Sequence, residues 1–194
     1  IKGNMLNAQE YEPSCCKKED FIKVYNAYNL ELKKDGKMDF DDILRECYLL
    51  LKENTTILEQ WRGLYKYILI DEFQDINKVQ YEIVKMLAGK KQNLFLVGDD
   101  DQSIYRFRGA KPEIMLHVEK DFPMLQKIVL NKNYRSPEAV VRLSERLISY
   151  NQVRFPKKVS AVSEYPGMIR NLSFPHQKEE NKYLVSEILR KARQ

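Results

Sequence analysis

The stretch "YKYILIDEFQDINKVQ", Tyr65 to Gln80, decides how the rest of this chain is read. Five residues, Tyr67 to Asp71, have the composition of a fully buried strand, and the chain then runs straight into Asp71, Glu72, Gln74 and Asp75. Carboxylates crowded at one strand end repel each other and are costly to desolvate unless a positive charge sits among them. A divalent cation is the natural candidate. A helix is predicted next, near Lys78 to Ala88, with Val79, Ile83, Met86 and Leu87 as its apolar positions.

Working outward, "NLFLVGDDD" predicts a second buried strand, Leu94 to Gly98, which again ends in acids. "QKIVLNKN" predicts a third, Lys127 to Leu130, and Met168 to Phe174 a weaker fourth. Helices are predicted before and between them. Phe21, Ile22, Val24, Tyr25, Tyr28 and Leu32 fall at helical spacings in a segment closed by Asp35 and Gly36. Phe40, Ile43, Leu44, Cys47, Leu50 and Leu51 share a second helical face. Ser136, Pro137 and Glu138 open another helix with a capping hydroxyl, a first-turn proline and an early acid, and the last runs from about Glu179 to Ala192. Strands alternating with helices imply a parallel α/β sheet, where ligands sit beyond the carboxyl ends of the strands. Both acidic clusters lie there.

At 194 residues the chain holds one ordinary domain or two small ones, and 43% hydrophobic residues are enough for a core. No apolar run approaches the roughly 18 residues of a membrane span, and the N-terminal "IKGNMLNAQEYEP" has no apolar stretch of a signal peptide. A net charge of +5 is compatible with a polyanionic partner without demanding one. Cys15, Cys16 and Cys47 form no disulfide pattern, and with only two histidines a zinc site is not expected; a reducing cytoplasm fits best. The first residue is not Met, which points to a chain processed or cut from something larger.

The chemistry sits in two stretches. "ILIDE" followed by "FQD" has the form of a Walker B element. Asp71 is then placed to hold magnesium, directly or through water, and Glu72 to orient and deprotonate an attacking water. In "LFLVGDDDQSIYRFRGA", Leu94 to Ala110, Gly98 permits a tight exit from the strand and Gln102 offers an amide to a nucleotide's terminal phosphate. Tyr105, Arg106, Phe107 and Arg108 then interleave aromatic rings and guanidiniums. That pattern suits single-stranded nucleic acid, rings on bases and cations on phosphates, although a surface loop with its rings folded inward has the same residues.

Taken in order and spacing, "DEFQD", "VGDDDQSIYRFRGA" and "LNKNYRS" resemble motifs II, III and IV of the UvrD/Rep/PcrA helicases, superfamily 1 motors that move 3′ to 5′ on single-stranded DNA. "MDFDDIL", Met38 to Leu44, is similar to the element ahead of motif II in that family. The resemblance is good over about Met38 to Tyr150 and only general on the flanks. It implies ATP and Mg2+ as nucleotide and metal, with Asp71 on the metal, Glu72 beside it as the base, and Gln102 as the phosphate sensor linking nucleotide to DNA. It also implies that Tyr105 and Phe107 stack on bases and that Arg108 contacts the backbone. The family usually has Trp at the position of Phe107, so stacking there is expected to persist with less area. Tyr134 would stack on adenine, and Arg135 would reach the γ-phosphate as an arginine finger does.

The same resemblance implies an architecture. Residues 1–37 would be the helical tail of an accessory insert. Residues 38–124 would form the second half of a first RecA-like motor domain, a partial parallel sheet flanked by helices. Residues 125–194 would begin a second RecA-like domain. No segment reads G-x-x-x-x-G-K-[ST], so the phosphate-cradling loop and its lysine are absent from this sequence. The expected function is therefore that of a fragment of an ATP-dependent helicase, inactive by itself, whose partners are single-stranded DNA and the rest of the helicase chain. Two readings stay open: a short degenerate relative that binds DNA or a partner without hydrolysing ATP, and a motor acting on something other than nucleic acid.

Overall fold

A computed structural model describes residues 1–104 and 110–193. The chain divides into two compact units: Ile1–Lys127 together with Val153–Phe155, and Ile128–Gln152 together with Pro156–Gln194.

The first unit is mostly helical around a small sheet. Its elements are α1 (Lys18–Lys34), α2 (Phe40–Glu53), α3 (Thr55–Leu64), β1 (Ile68–Ile70), α4 (Lys78–Ala88), β2 (Leu94–Leu96) and α5 (Pro112–Asp121). Local chemistry starts three of these helices. Asp39 accepts the Asp42 N–H at 2.8 Å while the Asp42 carboxylate accepts the Asp39 N–H at 3.2 Å, a reciprocal box at the head of α2. Asn77 and Gln80 make the same box for α4, at 3.0 and 2.9 Å, and Asn54 caps α3.

β1 and β2 pair in parallel, Ile68 opposite Leu94 and Ile70 opposite Leu96. One face of the pair packs on the core, formed by Phe73, Ile76, Tyr81, Ala88, Val118 and Phe122 from the loop after β1 and from α4 and α5. Side chains alternate along a strand, so Leu69 and Phe95 turn to the other face, where they are 71% and 62% exposed. Residues 67–71 are therefore covered on one side only among the described residues, not buried on both as their composition predicts.

The second unit holds β3 (Lys132–Asn133), α6 (Glu138–Ile148), β4 (Ser160–Ala161) and α7 (Gln177–Ala192), with β3 and β4 parallel. Three expectations change here. Lys127–Leu130 is not a strand. An apolar run forms a ladder only where partner donors and acceptors lie alongside, and those lie further on: Ser160 N–H donates to Asn131 O at 2.8 Å and Val162 N–H to Asn133 O at 2.9 Å. Met168–Phe174 likewise has no strand partner among the described residues; the second strand of the pair is Ser160–Ala161 instead. The residue flanking α6 is Pro137 rather than Ser136, and no side chain among the described residues caps it. Gly167, at φ +77°, packs so closely there that a Cβ would lie 2.6 Å from Pro137 Cβ.

A buried lysine pins the N-terminal segment to α2. Lys2 Nζ lies 2.8 Å from Asp39 Oδ2 and 2.7 Å from Asp42 Oδ1, and 5.4 Å from the centre of the Tyr28 ring. Burial opposes its charge, but the bonds to Asp39 and Asp42 outweigh that and raise its pKa. Burial opposes the Asp39 charge too, yet Lys2 and the Asp42 N–H hold that carboxyl below its ordinary value. A raised lysine pKa contributes stability that is lost only as pH climbs through the folded-state value. A depressed carboxyl pKa contributes stability that is complete above the unfolded value and lost as pH falls through the folded one. Lys2→Met is expected to destabilise the fold by about 1–3 kcal/mol at neutral pH, because the half-buried Asp39 and Asp42 carboxylates lose a charged donor. It should also flatten the decline of melting temperature on acidification. Thermal unfolding across the carboxylate range tests this; parallel wild-type and variant curves would count against it.

Candidate active site

Parallel pairing puts the carboxyl ends of β1 and β2 side by side, and backbone bonds carry the pairing into the loops beyond. Val97 N–H donates to Ile70 O at 2.8 Å and Phe73 N–H to Val97 O at 2.9 Å. At the exit of β1, Asp71 is exposed and its Oδ1 accepts the Glu72 N–H at 2.9 Å. Glu72 adopts a left-handed conformation, φ 51° and ψ 41°, which costs a non-glycine residue about 1–2 kcal/mol. The reversal sends Phe73 into the core while Asp71 and Glu72 stay in solvent. Such strain persists only where the surroundings impose it, and it concentrates at functional sites.

The residue that organises this corner is Gln74, 1% exposed. Its Oε1 accepts the Asp99 N–H at 3.0 Å, and its Nε2 donates to Glu72 Oε2 at 2.7 Å and, more weakly, to Asp75 Oδ2 at 3.5 Å. A backbone N–H can only donate, so the amide oxygen must face Asp99 and the NH2 group must face the carboxylates. Ser103 Oγ adds a bond to Gln74 O at 3.3 Å. Burial, with the Glu72 charge beside it, pushes the Asp75 carboxyl above its ordinary value, against the pull of the Gln74 amide. Asp75 Oδ1 is buried and has no hydrogen-bond partner among the described residues.

On the β2 side, Gln102 Nε2 donates to Asp99 Oδ2 at 2.7 Å, and Asp99 Oδ1 accepts the Asp101 N–H at 3.1 Å. A continuous chain of bonds thus runs from Glu72 through Gln74 and Asp99 to Gln102. Arg154 grips Asp101 with two bonds, Nε to Oδ1 at 2.7 Å and Nη2 to Oδ2 at 2.5 Å, and the Phe155 N–H donates to Asp100 Oδ2 at 2.7 Å. Gly98 owes its place to a close approach rather than to the strand exit alone: a Cβ there would lie 2.7 Å from Gln74 Oε1 and 3.1 Å from Phe73 N. A side chain at 98 would wedge the two loops apart.

Of the residues singled out from sequence, Asp71, Glu72 and Gln102 come together in the first unit. Tyr134 and Arg135 belong to the second. There Asn133 Oδ1 accepts the Arg135 and Ser136 N–H groups at 2.9 and 2.8 Å, a turn that leaves Tyr134 74% exposed and Arg135 exposed. Tyr105, Phe107 and Arg108 lie outside the described residues. Gln74 was named only as one of the groups at the strand end, with no role given to it, and Asp99 and the Asp101–Arg154 pair were not singled out. The one sequence signal was an amide set among the carboxylates of "DEFQD".

Two groups of acids offer hard oxygen donors of the kind magnesium takes. In the first, Asp71 and Glu72 are adjacent and exposed, which fits a hydrated cation shared with phosphate oxygens. In the second, Asp99, Asp100 and Asp101 lie close together, but each is engaged by protein donors. The first pair is the better match. The first unit also has a cleft of about 400 Å³, lined by Arg62, Lys66, Lys90 and Asn93 among others, but it lies at the opposite end of the strands.

Paired acidic loops at the carboxyl end of parallel strands, backed by helices, define an α/β protein. Residues 1–123 match the UvrD/REP helicase N-terminal domain, and the chain belongs to that family. It is 40% identical over 171 residues to the ATP-dependent DNA helicase Rep of Buchnera aphidicola (subsp. Schizaphis graminum), covering 88% of this chain and 26% of that protein. It is 36% identical over 169 residues to Rep of Escherichia coli K12, covering 87% and 25%. Against the ATP-dependent DNA helicase PcrA of Staphylococcus epidermidis it is 36% identical over 170 residues, covering 88% and 23%. The chain thus spans about a quarter of the length of these curated relatives.

Proposed function

We propose that this chain is the part of an ATP-driven DNA helicase that carries the hydrolytic base, the phosphate sensor and the start of the second motor domain, and that the whole protein moves along single-stranded DNA. The observation that carries this reading is the placement of Glu72 and Gln102 at adjoining strand ends, joined by the bonds through Gln74 and Asp99. Glu72 is solvent-facing and can take the proton of an attacking water. Gln102 presents an amide that can exchange Asp99 for a phosphate oxygen. Asp71 would hold magnesium, which when bound neutralises charge on the phosphates. Arg135 would supply a guanidinium to the γ-phosphate and Tyr134 a ring to adenine. Membership of a helicase family and the helicase names of the relatives support the assignment to DNA. Among the described residues no helix is long and apolar enough to cross a membrane.

The DNA contact is tested at Phe107. In the full-length parent, Phe107→Ala is expected to cost about 1–3 kcal/mol of single-strand affinity, the value of one stacked base. The melting temperature should hardly move. Binding is measured at one fixed salt concentration, because phosphate contacts are salt-sensitive. The 194-residue chain alone, which has no phosphate-loop sequence, serves as the control and should show no DNA-stimulated turnover. Unchanged DNA affinity with a marked loss of stability would instead make Phe107 a packing residue.

A further inference from the structure

We propose that Gln74 is the positioning residue of the hydrolytic site, fixing the Glu72 carboxylate in the direction from which it takes a proton; this rests on the reading of Glu72 as the base. Three observations carry it. Gln74 is almost fully buried between two loops, where an amide is kept only if its bonds are made. The Asp99 N–H settles which way the amide points, so the NH2 group is committed to Glu72 at 2.7 Å. Gly98 carries no side chain to push Gln74 aside, whereas a Cβ there would lie 2.7 Å from Gln74 Oε1.

Glu72 itself is exposed on a strained backbone, and a free carboxylate there would sample several rotamers. One charge-assisted hydrogen bond to one oxygen removes that freedom and leaves Oε1 as the oxygen turned to the reacting water. The same amide spans the loop that leads to Gln102, so the base and the sensor are set against a shared buried group. Gln74 touches neither water nor nucleotide on this account. It acts through Glu72.

The test uses the full-length parent. Gln74→Met fills the site without either bond, and Gln74→Glu keeps the acceptor for the Asp99 N–H while losing the donor to Glu72. For both, kcat of DNA-stimulated ATP hydrolysis should fall about tenfold or more, since loss of orientation at a reacting group costs up to about 10²-fold. KM for ATP and the affinity for a fluorescent non-hydrolysable ATP analogue should stay unchanged. On a Glu72→Gln background, Gln74→Met should add no further loss, because the two act as one unit. Melting temperatures establish that the variants fold; if Gln74→Met does not, Gln74→Glu carries the test alone. Wild-type kcat in a folded Gln74 variant beside a slow Glu72→Gln would overturn this proposal alone. An equal further loss on the Glu72→Gln background would make Gln74 a merely structural residue. Wild-type hydrolysis by Glu72→Gln would overturn the assignment of the base and this proposal with it.

Discussion

Glu72→Gln in the full-length parent is expected to leave ATP binding nearly intact while lowering hydrolysis by about 10²-fold or more, the scale of a lost general base. The substitution is isosteric and Asp71 is untouched, so the residues that would hold the metal remain. What changes is the capacity to take a proton. An amide oxygen at this position still accepts the Gln74 hydrogen bond, so the loop should keep its form and the strained conformation at residue 72 its support. Stability is therefore expected to stay close to wild type. Steady-state turnover with saturating single-stranded DNA, together with binding of a non-hydrolysable analogue, separates the two effects. Undiminished turnover would mean that another group takes the proton and that the acids at residues 71 and 72 serve only to bind.

The helix near Lys78–Ala88 was legible from the spacing of Val79, Ile83, Met86 and Leu87, and the structure adds the Asn77 and Gln80 side chains that close on each other's backbone at its start. The helix from Phe40 was legible in the same way, from its apolar face, and the structure adds the Asp39–Asp42 box at its start. Lys127–Leu130 and Met168–Phe174 misled because an apolar run carries no information about the partner strand it needs; the pairing chose Lys132–Asn133 and Ser160–Ala161 instead. In the site, Asp71, Glu72 and Gln102 stand out as residue types at a strand end or in a motif. Gln74 does not, since its importance lies in a bond to a backbone N–H 25 positions away. Arg154 is farther still, 53 positions from the Asp101 it holds. Long-range hydrogen bonds of this kind are properties of the folded chain, and no window of sequence displays them.

The largest effect is expected at Arg135. In the full-length parent, Arg135→Ala should lower kcat by about 10³-fold or more, the scale reported by arginine fingers that meet charge developing on a transferred phosphoryl group. The side chain is suited to the role: the Asn133 turn fixes the backbone of Arg135 and Ser136 with two hydrogen bonds, and the guanidinium stands exposed, with no ion-pair partner among the described residues. An unpaired, solvent-facing cation contributes little to stability, so the variant should melt close to wild type. Ground-state affinity for the nucleotide should fall much less than turnover, because the charge it meets is greatest in the transition state. Arg135→Lys adds a finer comparison. It keeps the charge but loses the planar fork that can meet two oxygens at once, so it should recover only part of the lost rate. Turnover, analogue binding and thermal unfolding on the two variants distinguish the possibilities. A weakened nucleotide affinity with kcat preserved would make Arg135 a binding residue only, and a full rescue by lysine would mean that charge alone, and not the fork, is what the site requires.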